Sequence, residues 1–103
     1  MDEDFKELTN QLGDLHVFRR EAAKQTLLMC TPEVERIVST NNLDIDIIEH
    51  TLDALCEVAF DDEVLFLFKK LLRYYYKIDI VATAEHIKIY REMWDNDKDE
   101  EQD

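Results

Sequence analysis

The chain has 103 residues, with 25 acids against 12 bases and a formal net charge of −13. That length suits one domain, and an apolar share of 46% supplies a core that a disordered polyelectrolyte lacks. With one Gly and one Pro, the chain has almost no means of reversing strands every few residues, so sheet folds are set aside and helices joined by short polar links remain.

The expected fold is all-α: a compact bundle of about five helices over residues 1–94, then a disordered acidic tail at 95–103. The first helix is the longest. Phe5, Leu8, Leu12, Leu15, Phe18, Ala22 and Met29 fall within an arc of about 140° on the helical wheel. The stripe keeps its phase through Gly13, so the helix is expected to continue there at a cost of about 1 kcal/mol relative to Ala, the alternative being a break with Asp14 capping a second segment. Thr31-Pro32-Glu33 reads as a new start, with a hydroxyl at the N-cap, Pro at the first position and an acid beside the positive end of the dipole. The short helix it opens should carry Val34, Ile37 and Val38 inward and fade at Asn41-Asn42.

Asp44 is the next expected N-cap, with Leu43 and Ile48 spaced as a hydrophobic staple across it. The third helix should bury Ile45, Ile48, Leu52, Leu55, Cys56 and Ala59, and one of Asp61-Asp62 should cap the fourth. That fourth helix, from Glu63 to Tyr76, is the most apolar. Val64, Leu67, Phe68, Leu71 and Tyr75 centre its buried arc, and Leu65, Leu72 and Tyr74 widen it, which calls for neighbours on more than one side. Tyr74 and Tyr76 should flank the buried Tyr75 with their hydroxyls in water. Asp79 can cap a fifth helix whose inward stripe is Ile80, Ala84, Ile87, Tyr90 and Trp94, antiparallel to the fourth across a short link. The tail, DNDKDEEQD, has nothing to bury and cannot offset its ordering entropy.

Charge narrows the partners. Binding nucleic acid through its phosphates depends on Lys and Arg releasing counterions, so a net −13 disfavours it, as it disfavours an anionic membrane surface. The longest strongly apolar run, Val64 to Phe68, is far short of the roughly 20 residues of a membrane span. The acidic Met1-Asp2-Glu3-Asp4 is unlike a secretory leader, and Cys30 and Cys56 have no CxxC spacing. Both are read as reduced thiols in a cytoplasmic protein.

Three constellations merit a chemical reading. Asp46, His50 and Asp53 share a face of the third helix, with Glu49 beside them and His86 within reach from the fifth. They are a weak candidate for metal binding or acid–base catalysis. Di-iron bundles use Glu-x-x-His on two helices, and zinc asks for tighter His/Cys grouping, so no metal, cofactor or catalytic residue is expected. The second is the outer face of the fourth helix. Lys69, Lys70, Arg73 and Lys77 gather four of the 12 bases, and Lys70, Arg73 and Lys77 lie within about 60° of one another with Phe66 between them. Either that stripe lies opposite acids of other helices with Phe66 covered, or Phe66, Lys70, Arg73 and Lys77 form a partner-binding anchor for a second copy or an acidic protein.

The acidic exterior is the third. It is either solubilising or a decoy that imitates a nucleic acid and captures its binding protein. A small acidic non-enzyme is expected, with an accessory, adaptor or regulatory role exercised through protein–protein contact, and with self-association into a homodimer.

Overall fold

The computed structural model describes the backbone of residues 2–95 and the side chains of residues 17–95. Four helices account for it: α1 (Asp2–Ser39), α2 (Ile45–Glu57), α3 (Asp62–Tyr76) and α4 (Ile80–Trp94), with no strand among the described residues. The expected count of about five falls to four because α1 runs through Thr31-Pro32 without a break. An interior Pro lacks the N–H that would bond residue 28 and costs about 3 kcal/mol. Val34 and Ile37, just beyond it, are fully buried. Burying two such side chains contributes about 1.5–3 kcal/mol each, enough to carry the helix across. The backbone is also helical at Gly13. Phe5, Leu8, Leu12 and Leu15 of the expected stripe lie outside the described side chains, as does the tail beyond Asp95.

The helix ends follow local chemistry. Asn41, at φ 52°, takes the left-handed conformation that stops α1. The Asn42 amide donates to the Ile37 carbonyl at 3.0 Å and the Asn41 amide to Val38 at 3.3 Å, a Schellman arrangement. Asp44 caps α2 by accepting from the Ile47 amide, Asp61 caps α3 by accepting from Glu63 and Val64, and Asp79 caps α4 by accepting from Ala82. All three are the expected caps. Leu43 is exposed, so it does not staple onto the buried Ile48.

α3 is the hub, packed against α1, α2 and α4. Its Val64, Leu67, Phe68, Leu71, Leu72 and Tyr75 meet Ile48, Leu52, Leu55 and Cys56 of α2 and Ala23, Val34 and Ile37 of α1. α4 runs antiparallel to α3, since Phe68 meets Tyr90 at 5.7 Å between ring centroids and Tyr75 meets His86 at 6.2 Å.

Two faces are turned from their expected phase. On α1 the buried line is Ala23, Val34 and Ile37, with Leu27 and Cys30 partly buried, while Phe18 and Met29 stay 71% and 72% exposed. On α4 the buried residues are Thr83 and His86, with Tyr90 and Trp94 half-buried. The expected Ile80 is 59% exposed, and Ala84 and Ile87 are exposed with it. Polar groups hold this rotation of α4. The Thr83 hydroxyl donates to the Asp79 carbonyl at 2.8 Å, and Trp94 Nε1 donates to the Cys56 carbonyl at 2.8 Å. Trp94 also sets its ring edge-on against Phe60, 5.6 Å away. Ile45, expected inside, is also exposed.

Both cysteines are free, Cys56 buried and Cys30 half-buried. Burial pushes both thiols up, aided by Glu33 at Cys30 and by Asp53 and Glu57 at Cys56. A raised thiol holds less thiolate, the reactive form, so maleimide labelling of the folded protein at about pH 8 should run slower than for free cysteine. Unfolding should bring it to the free rate. A free-cysteine rate in the folded protein would contradict this burial.

Candidate functional site

The outer face of α3 points away from the core. Phe66 lies there at 73% exposure, flanked on the helix surface by the half-buried Lys70 and the exposed Arg73 and Lys77. Among the described residues no neighbouring helix covers it. Among the described residues no ion pair within 4.0 Å involves Lys69, Lys70, Arg73 or Lys77. Acids do lie near its first turn, since Glu35 of α1 lines the same cleft as Lys70 and Phe66.

The face borders a groove on each side. Toward α1, a cleft of about 450 Å³ is lined by Leu27, Thr31 and Glu35 from α1 and by Asp62, Glu63, Phe66, Leu67 and Lys70 from α3. Toward α4, two adjoining hollows of about 460 and 320 Å³ share Lys69, Leu72 and Ile87 and together make one trough. The first groove is not legible in the sequence because the apolar spacing of α1 points to a different buried face from the one observed; the second is hidden by the rotation of α4.

The Asp46, His50 and Asp53 trio does not assemble. Asp46 and His50 stay on the exposed side of α2 beside Glu33, whereas Asp53 faces α4. There the buried His86 places Nε2 3.7 Å from Glu49 and Nδ1 3.7 Å from Asp53. Tyr75, edge-on to the imidazole, donates its hydroxyl to Glu49 at 2.7 Å. This polar cluster joins α2, α3 and α4. Among the described residues no group of three or more His, Cys, Asp or Glu side chains is placed to hold a metal ion.

The tyrosine run divides as its 100° steps require. Tyr75 is fully buried and Tyr76 exposed, but the Tyr74 hydroxyl is not left in water: it donates to the Asn42 carbonyl at 2.6 Å, tying α3 to the turn after α1. No helix among the described residues is long and apolar enough to cross a membrane.

Comparison with protein-family models, with curated proteins and with solved structures finds no match. Function therefore rests on the surfaces alone.

Proposed function

We propose that the chain is a non-enzymatic interaction protein, accessory or regulatory in role, that binds an acidic surface of another protein through the Phe66 face of α3. One observation carries the reading: a large aromatic side chain, mostly exposed, on the same face of α3 as Lys70, Arg73 and Lys77, none of which has an ion-pair partner within 4.0 Å among the described residues. Exposed aromatic and Arg side chains are enriched among the residues that dominate binding energy at protein interfaces. Cations clustered on one face of a chain of net charge −13 favour an acidic counterpart and speed its approach. The two free thiols suit a reducing, cytoplasmic setting.

The test is affinity capture from native lysate with the wild-type chain and with Phe66→Asp, side by side. A protein held by the wild type and lost with Phe66→Asp, at unchanged helicity and melting temperature, supports the reading. Identical retained sets for the two baits would overturn it.

A further inference from the structure

A hollow of about 440 Å³ lies between α2 and α4, and none of its lining residues belongs to the Phe66 face. Four carboxylates border it: Glu49 and Asp53 on α2, Asp79 at the cap of α4, and Glu85 within that helix. Among the described residues no Lys or Arg lines it. Carboxylates alone would be a solvated acidic face. His86 makes this one different.

The His86 side chain is 10% exposed and lines the hollow, with Nε2 3.7 Å from Glu49 and Nδ1 3.7 Å from Asp53. Both separations lie beyond hydrogen-bond distance. In its neutral form an imidazole carries a proton on one nitrogen and a lone pair on the other. Whichever nitrogen bears the lone pair, a carboxylate oxygen stands opposite, so an acceptor faces an acceptor. A buried acceptor is costly to leave in that state. A cation with several N–H donors, seated in the hollow, can satisfy the lone pair and the carboxylates together. Tyr75 steadies the acceptor set by donating its hydroxyl to Glu49 Oε2 at 2.7 Å.

The apolar part of the lining narrows the choice of cation. Val81 is 72% exposed and Ile89 45% exposed beside the acids. Lys and Arg side chains have an aliphatic stem to lay on such residues and a charged head for the carboxylates, which an inorganic ion lacks.

We propose that the α2/α4 hollow is a docking site for a Lys or Arg side chain presented by a basic partner protein. Charge complementarity names the occupant twice: locally through the four carboxylates, and at longer range through a net charge of −13 that draws a basic body toward the chain. The site is independent of the Phe66 face. With both in use, one chain holds two partners of opposite charge.

The test titrates a tetralysine peptide with blocked ends into the full-length chain at about 20 mM salt, where screening is weak. The His86 ring signals in the NMR spectrum should move with added peptide, while those of His50, on the exposed side of α2, stay in place. The pair Asp53→Asn, Glu85→Gln should raise the dissociation constant at least about fivefold, whereas Glu21→Gln, Asp46→Asn, an equal loss of charge elsewhere, should change it less than about twofold. All four positions are exposed, and circular dichroism checks that each variant folds. Phe66→Asp should bind the peptide as the wild type does. A His86 signal that does not move would overturn the proposal, as would equal effects from the two charge pairs. Spermine, a free amine of the same charge, should bind more weakly than the peptide; equal or tighter binding would assign the hollow to a small polyamine and remove the protein partner.

Discussion

Phe68→Ala is expected to destabilise the protein by about 3–5 kcal/mol, whereas Phe66→Ala, two residues earlier on the same helix, should change stability by no more than about 0.5 kcal/mol. The contrast comes from the wheel. Phe68 is 1% exposed, buried among the α3 core residues with Tyr90 of α4 against its ring, and its removal leaves a cavity that backbone elements on three sides cannot close. Phe66 is mostly in water, and its truncation returns apolar area to solvent that was never withdrawn from it. Urea unfolding monitored by far-ultraviolet circular dichroism reads both values. Comparable losses for the two variants would show that Phe66 is covered in the folded protein and would remove the premise of its role as an anchor.

Tyr75→Phe is expected to cost about 1–2 kcal/mol at neutral pH, and the deficit should shrink as the solution is made alkaline. The hydroxyl it deletes donates to the Glu49 carboxylate at 2.7 Å, inside the contact of α2 with α3 and α4. Burial first, then the hydrogen bond and charge of Glu49, and finally the charge of Asp79, push the phenol above its ordinary value. The folded protein therefore holds this proton more tightly than the unfolded chain does. Its contribution is intact below the ordinary tyrosine range, near about pH 10, and is lost as the pH rises from there toward the folded value. Tyr90, raised by burial and by Asp95, adds to the alkaline loss in both proteins, so the difference between wild type and Tyr75→Phe isolates Tyr75. A deficit that stays constant from pH 7 to about 11 would contradict the assignment.

Local signals were the most legible part of the chain. Asp44, Asp61 and Asp79 could be placed as caps because a carboxylate before an apolar run has one efficient use, closing the amides of a helix start. The buried arc of α3 was legible because it is wide, and small errors of phase do not move Phe68 or Tyr75 out of it. Narrow stripes were less secure. In α4, apolar spacing favoured Ile80, Ala84 and Ile87, but Thr83 satisfies its own hydroxyl within the helix and His86 finds two carboxylates on α2, so a polar face is buried at little cost. Partners on another helix decide that choice, and a single helix's spacing does not contain them. Thr31-Pro32 misled for the same reason: it is a sound local start signal overruled by the burial of Val34 and Ile37. Of the candidate site, the Phe66, Lys70, Arg73 and Lys77 grouping was readable from one helix. The grooves on either side of it, which need two helices, were not.

The cations on α3 have a consequence that reaches beyond contact distance. α2, packed on the inner side of α3, carries Asp46, Glu49, Asp53 and Glu57 and no Lys or Arg, whereas the far side of α3 carries Lys70, Arg73 and Lys77. Within the α2–α3 pair, carboxylates thus stand on one side and cations on the other, in a chain that is strongly anionic. An approaching charged body exerts a torque on such a particle and turns it before the surfaces touch, over a range of about 8 Å at physiological ionic strength. Orientation is selected during diffusion, and dilute buffer lengthens the distance over which that selection acts.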